Sequence, residues 1–474
     1  MRLLISSLLC LALLQLDAQR GVLYYSVPQP GFATSRISKS ALEKDIDYWQ
    51  RVIEESHVNP YHAISRENLL LLKKQLLASL PDSVTHFQAS FTVSQLIGAL
   101  QEGHLGFATS PVIDSLYAND CIRFPYLLLD IDKGDFIVQR DLSGDNRLPL
   151  FSRIISINGK STKELYQRYA RMFGGLELWK ILMVKNNIRK LLYMDGITSP
   201  FSVKAIVNDD TVSFVTKGYT RFQADSINKV LSAENPPLLP FRLSFPRENI
   251  ALIQFNTMGG YLRDSFSRFL RSTFAQIQAR KTQGLIIDLR LNGGGDSGLG
   301  DSLISYFTGK SYRTAGGVKI RISRHSKEHA RLNGFRDPYG NMPDGSLREI
   351  KDIELVVPVQ RELRFSGKTC ILVGTGTFSS ANMITNAIKD YQLATIIGER
   401  TAEPANDFGE IFYFMLPNTH IVCAGAIKMF VRANGDEHDF NGIQPDIEAR
   451  NSLDDIRLKK DRVLERAIEW INGQ

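Results

Sequence analysis

Between Ser38 and Gly103 the apolar residues recur at three- and four-residue steps, the spacing of helices with one buried face. "ALEKDIDYWQRVIEESH", "SRENLLLLKKQLLASL" and "TVSQLIGALQEGH" predict three amphipathic helices, with Ser40 and Ser65 as candidate caps and the last ending at Gly103. From about Cys121 the period shortens. "FPYLLLDIDKGDFIVQR" predicts strands, and "SRIISINGKSTKELYQRYARMFGG" predicts a strand, a turn at Asn158-Gly159 and an amphipathic helix. A polar stretch that reads as strand-rich continues to about Ser232, and the Pro-rich "AENPPLLP" (233–240) reads as a linker.

Beyond the linker, strand and helix patterns alternate. "IALIQFNTM", "GLIIDLRLN", "TCILVG" and "ATIIGE" predict strands, the middle two apolar enough to be covered on both faces. "LRDSFSRFLRSTFAQIQARK", "GLGDSLISYF" and "SANMITNAIKDY" predict the helices between them, which makes βαβ units and a parallel sheet. Residues 310–364 read as a long, loop-rich insertion. The expected organisation is a helical N-terminal domain (19–110), an α+β module (111–235) and an α/β domain (236–474).

Composition refines this picture. With 474 residues, 43% hydrophobic and 23% charged, the chain has material for two or three cores. The net charge of +7 is spread without a dense basic tract, which argues against a nucleic-acid partner. The opening "MRLLISSLLCLALLQLDAQ" places Arg2 before an apolar run, with cleavage expected after Ala18, so residues 1–18 read as a secretory signal and the mature chain as exported to the periplasm or beyond. No later run is long enough to span a bilayer. Leu9 before Cys10 is bulkier than a lipid-attachment signal wants. Of the remaining cysteines, Cys370 and Cys423 lie in apolar runs and read as core, and Cys121 completes no pair or metal-ligand spacing.

Two loops carry candidate chemistry. In "GTGTFSSANM" (374–383), Ser379 and Ser380 stand where a buried strand meets a helix. A serine there suits an N-cap. It also suits, as the second reading, a nucleophile aimed past the unpaired N–H groups of a helix start. In "DLRLNGGGDSG" (288–298), Gly293-Gly294-Gly295 also follows a buried strand, and bare backbone there can approach a ligand closely. The run has neither a Walker lysine nor the spaced glycines of a dinucleotide site.

"LIIDLRLNGGGD", "VGTGTFSSAN", "IIGERT" with the following "FGE", and the closing "NGIQPDIE" (441–448) resemble, in order and spacing, the motifs of the S41 serine peptidases. That family comprises the C-terminal processing peptidases, the tricorn-core enzymes and the interphotoreceptor retinoid-binding proteins. The resemblance covers about half the chain. It implies an α/β catalytic core of the ClpP/crotonase-like type, preceded by the helical domain and a PDZ-like module, to which "PLFSRIISINGKSTKELYQ" is similar. It also implies Ser379 as nucleophile, with the N–H groups of Gly294 and Ser380 as oxyanion hole.

The general base distinguishes branches of the family. "GERTAEPANDFGE" lacks the lysine that the processing peptidases place about 25 residues beyond the serine; Ala402, Glu403 and Pro404 stand there instead. The tricorn-like branch takes a histidine from upstream of the PDZ-like module, and His104 in "LIGALQEGHLGF" resembles it. Glu437, 58 residues past Ser379, fits that branch's orienting acid; Asp436, His438 and Asp439 crowd the same loop, and Glu403 and Glu410 are further carboxylates near the site by the same resemblance, either of which offers an alternative partner to orient the histidine. The implied function is an exported serine peptidase that hydrolyses peptides or unfolded protein segments through an acyl-enzyme, with no metal or organic cofactor. The missing lysine segment keeps a second reading open, a non-catalytic peptide- or ligand-binding protein on the same fold.

Overall fold

The apolar runs of 250–288 and 368–398 form the middle of a six-stranded sheet in the computed structural model. The structure describes residues 21–28, 31–32, 35–109, 111–119, 122–234, 237–334, 339–351, 353–358 and 362–473. The signal segment 1–18, Cys10 and Cys121 lie outside these residues. Ile250–Phe255, Gly284–Asp288, Lys368–Val373, Thr395–Gly398 and Ile447–Glu448 pair in parallel, in that order, and Phe241–Arg247 is antiparallel at one edge.

Both faces of this sheet are covered, which explains its unbroken apolar strands. Ile287, Ile371 and Ile396 pack under helices Arg263–Ala279, Ser297–Ile304 and Ser380–Tyr391. Ile286, Cys370, Leu372 and Ile397 alternate to the other face, under the C-terminal helix Arg462–Ile471. Cys370 and Cys423 are unpaired and buried, and burial drives the Cys370 thiol up to about 12. Because Asp288 lies opposite Leu372, the glycine-rich loop and the serine loop leave neighbouring strand ends, the usual place for a site on a parallel sheet.

A second sheet joins the two ends of the chain. Asp407–Met415, Val422–Val431, Gly317–Arg321 and Leu347–Ile350 form an antiparallel run. Val22–Leu23 adds to it in parallel, and Phe107–Ala108 pairs with Val422 and Cys423. The 310–364 segment thus supplies two strands, and between them the helix Arg324–Leu332. Helices Lys39–Ser56, Arg66–Ala78 and His86–Ala99 share one core with this sheet: Leu42, Ile46, Trp49 and Ile53 pack with Phe412, Phe414 and Ile427. Buried Asp45 completes the contact by accepting from the backbone N–H groups of Asn418 (3.0 Å) and Thr419 (2.7 Å).

The middle of the chain forms a separate antiparallel sheet of Tyr126–Asp132, Asp135–Asp141, Arg153–Ile157, Phe201–Val207 and Asp210–Thr216, with Lys160–Ser161 on Arg153–Ile157. Helix Thr162–Ala170 starts at a Ser161/Glu164 capping box, as its sequence signals. The stretch beyond Gly175 is not mainly strand: it opens with an 18-residue helix, Glu177–Met194, and ends in another, Arg221–Glu234. The first has Leu176 as N-cap, with no side-chain cap bond, so its start carries no capping signal. Among the described residues no helix is long and apolar enough to cross a membrane.

The two helices that frame the strand ends meet at Gly300, where an added Cβ would sit 2.6 Å from Ile384 Cγ2. Overpacking of this kind costs about 1–3 kcal/mol. Gly300→Ala is expected to lower Tm by several degrees, and Gly300→Ala/Ile384→Ala to lose less than the sum of its single variants. Additive losses in thermal denaturation would contradict the contact.

Candidate active site

Strand Lys368–Val373 ends in Gly374, and the chain turns through Thr377 and Phe378 into helix Ser380–Tyr391. Ser379 occupies the turn at φ 52°, ψ −129°, a conformation that non-glycine residues avoid and that costs about 1–3 kcal/mol. It is the N-cap by position, yet its side chain makes no capping bond, and no protein partner for Oγ is found among the described residues. The neighbouring hydroxyl is different: Ser380 Oγ donates to Gly295 O at 2.5 Å and ties the two loops together.

The glycine-rich loop lies directly against this elbow. Gly294 has φ +93°, and a Cβ there would stand 2.7 Å from Ser379 Cβ and 2.8 Å from Ser380 N. Asn292 is fully buried and holds the loop, donating to Phe255 O (2.9 Å) and accepting from Gly294 N–H (2.9 Å). Of the two expected oxyanion donors, Gly294 N–H is therefore engaged by Asn292, whereas Ser380 N–H belongs to the open first turn of the helix.

His104 reaches the same place from the N-terminal part. Helix His86–Ala99 stops short of Gly103, the expected end. Leu100 caps it, Gln101 turns at φ 56°, and Glu102-Gly103-His104 becomes a loop ahead of strand Phe107–Ala108. The loop is confined from the middle sheet's side, since Gly174 abuts the Glu102 backbone too closely for any side chain. Phe378 fills the space between, its ring 4.8 Å from that of His104 and stacked at 4.0 Å on Trp179.

Three buried carboxylates surround His104 Nδ1: Glu403 Oε1 at 3.3 Å, Asp407 Oδ1 at 3.3 Å and Glu102 Oε1 at 3.7 Å. None is aligned as a hydrogen bond to Nδ1; Glu102 Oε1 instead accepts from the His104 backbone N–H at 2.6 Å. The second oxygen of Glu403 accepts the Ser379 backbone N–H. One carboxylate thus spans the imidazole and the serine elbow. Burial alone would lower the His104 pKa, but Asp407, Glu403 and Glu102 outweigh it and raise the value to about 10. Burial, then the charge of Asp407, pushes Glu403 well above the usual carboxylate range; burial likewise raises Asp407 against the pull of His104.

Helix Ser380–Tyr391 holds the Glu403 segment from behind. Asn382 donates to Pro404 O (2.8 Å) and Asn386 to Ala405 O (3.1 Å). The closing "NGIQPD" motif braces its other side, with Ala405 N–H on Asn441 O and Ile443 N–H on Thr401 Oγ1, both at 2.8 Å. Glu437 belongs to this brace region and is not among the carboxylates at His104. It pairs with Lys319 at 2.6 Å, its side chain 42% exposed. Glu410 pairs with Lys428 at 3.3 Å. Of the carboxylates at the imidazole, Glu403 was legible both as a residue standing in for the absent lysine and, like Glu410, as an alternative acid to orient the histidine. Asp407 and Glu102 had as their only signal closeness in sequence to Glu403 and His104.

Residues 249–449 match the model of peptidase family S41. Among solved structures, the chain is similar to mature CPAF complexed with lactacystin (15% identity, TM-score 0.65, covering 92% of this chain and 99% of that one). It is similar also to mature CPAF alone (14% identity, TM-score 0.63, 92% and 98%). These likenesses concern the fold. A search of curated proteins gave no match.

The loop geometry separates two adjacent glycines. Gly293 is exposed, with nothing within 4 Å of an added Cβ, whereas Gly294 has neither space nor a permissive φ. Gly294→Ala is expected to slow labelling of Ser379 by a fluorophosphonate at least about a hundredfold, within the range for a disturbed oxyanion site. Gly293→Ala is expected to stay within about threefold of the parent, the outcome for an unconstrained surface position. Equal labelling rates for the two variants would contradict this packing.

Proposed function

The chain belongs to peptidase family S41 and is a serine peptidase, and from that premise we propose that Ser379 and His104 hydrolyse peptide bonds in peptides or unfolded protein segments through an acyl-enzyme. The observation that carries the proposal is the Glu403 carboxylate, which meets His104 Nδ1 with one oxygen and the Ser379 N–H with the other. Ser379 Oγ attacks the scissile carbonyl carbon while its proton passes to His104 Nε2, the ring nitrogen turned from the carboxylates. The C–N bond then breaks, and the amine leaves with that proton. Water, deprotonated by the same nitrogen, releases the acyl group and restores the serine.

Asp407 is the orienting acid in this reading. Its oxygen, with that of Glu403, favours the imidazolium that forms as the serine ionises. With its pKa raised by these carboxylates, the imidazole becomes a free base only as the pH climbs, so kcat/KM is expected to rise with pH above neutrality. Glu403 additionally positions the elbow. Ser380 N–H is the first oxyanion donor, and Gly294 N–H becomes the second only once Asn292 Oδ1 yields it. Trp179 stacks on the Phe378 ring, which puts the middle unit, in its PDZ-like role as a peptide binder, beside the serine loop. Export, through the signal expected at residues 1–18, belongs to the same proposal.

Casein and a fluorogenic peptide serve as substrates. Ser379→Ala and His104→Ala are each expected to lower kcat/KM at least about a thousandfold, and Asp407→Asn at least about a hundredfold. Glu437→Gln is expected to stay within about threefold, as befits an exposed ion pair. A reversal of the Asp407 and Glu437 effects would reject the acid assignment, and full turnover by Ser379→Ala would reject the nucleophile.

A further inference from the structure

The carboxylates around His104 outnumber the cations available to them. Glu102, Glu403 and Asp407 bring three acid groups to one imidazole, and all are nine-tenths buried or more. Four buried polar atoms here have no hydrogen-bond partner: His104 Nδ1, Glu403 Oε1, Glu102 Oε2 and His57 Nε2. The last two face each other at 3.9 Å. Buried polar atoms are normally satisfied, so unpartnered atoms on His104 and on the carboxylates around it indicate a missing partner.

The spacing identifies the kind of partner. Ligand atoms about 2.0–2.1 Å from a tetrahedral zinc ion lie about 3.3 Å from one another. His104 Nδ1 stands 3.3 Å from an oxygen of Glu403 and 3.3 Å from one of Asp407, and 3.7 Å from Glu102 Oε1. Ligand atoms of Glu102, His104 and Asp407 all fall within 4.8 Å of one another. One imidazole nitrogen with carboxylate oxygens suits zinc and its first-row neighbours, whereas magnesium and calcium prefer all-oxygen sets.

We propose that His104 Nδ1, Asp407 and Glu102 form a binding site for a zinc-class divalent cation, with the Glu403 carboxylate beside it, and that the bound ion inhibits the peptidase. The inhibition follows from the imidazole's single basic lone pair and rests on the reading of His104 as general base. In neutral imidazole one nitrogen carries the proton and the other the lone pair. An ion on Nδ1 uses that lone pair and leaves the proton on Nε2. Nε2 then cannot accept the proton of Ser379. No bond to substrate is made or broken by the ion, and its removal restores the free base.

The binding half is tested by calorimetry with zinc chloride on the full-length Ser379→Ala protein, freed of metal by chelation. One zinc ion per chain is expected, with affinity at least about tenfold weaker after Glu102→Gln or Asp407→Asn and unchanged after Glu437→Gln. Because a buried variant can fail to fold, anomalous scattering from a zinc-soaked crystal of the parent protein gives an independent reading, with the ion expected against His104 Nδ1. Absence of stoichiometric binding, or an ion found only elsewhere, overturns the site. The inhibitory half is tested by peptide hydrolysis with the parent protein, where zinc at saturation is expected to abolish turnover and chelator to restore it. Turnover that persists with zinc bound at the site would overturn the inhibition and the role of His104 as base, and would leave the ligand assignment intact.

Discussion

The structure turns on one costly arrangement, three carboxylates and an imidazole buried together. An isolated buried charge is strongly unfavourable, and groups like these persist only when the surrounding structure holds them and shares their protons or charge. The groups come from distant parts of the chain: Glu102 and His104 from the loop after the third N-terminal helix, Glu403 from beyond a parallel strand, and Asp407 from the start of the second sheet. The N-terminal helices therefore do not stand apart. Their shared core with Phe412 and Phe414, and the short strand Phe107–Ala108 on Val422 and Cys423, fix the loop that carries His104.

The second constraint is the strained turn at Ser379. Nothing local favours φ 52° at a serine, and the conformation is imposed by its surroundings. The parallel strand behind it and the helix ahead are both buried, Ser380 Oγ is tied to Gly295 O, and Glu403 takes the Ser379 N–H. The Ser379 side chain makes no capping bond, so its hydroxyl is not tied to the helix start. The two constraints share Glu403, so the elbow and the imidazole are positioned by one side chain, which Asn382 and Asn386 hold in turn through its loop.

Much of the parallel core was legible because its signals are local and repeated. Apolar strands covered on both faces, glycines where backbones touch and serines at a strand–helix junction mark 249–449, and the family match covers that same region. His104 was legible only through its resemblance to a motif, and the structure brings it to the serine loop. The acids were harder to read. Spacing pointed to Glu437, but spacing in sequence does not reveal that Lys319 arrives from a different strand and pairs with it. Asp407 opens a strand that pairs with Val422–Val431, and its approach to His104 depends on long-range packing that periodicity does not encode. The helix Glu177–Met194 went unseen for a different reason, the lack of a capping side chain at Leu176.

The central claim is that this buried acid cluster holds His104 against the hydroxyl of Ser379. A crystal structure of the protein with a peptide boronate tests it most directly, since the adduct imitates the tetrahedral intermediate. The account predicts a bond from Ser379 Oγ to boron, a boronate oxygen accepting from Ser380 N–H, and His104 Nε2 within hydrogen-bond distance of the adduct while Nδ1 keeps Asp407 and Glu403. An adduct on Ser379 with another side chain in the place of His104 would contradict it.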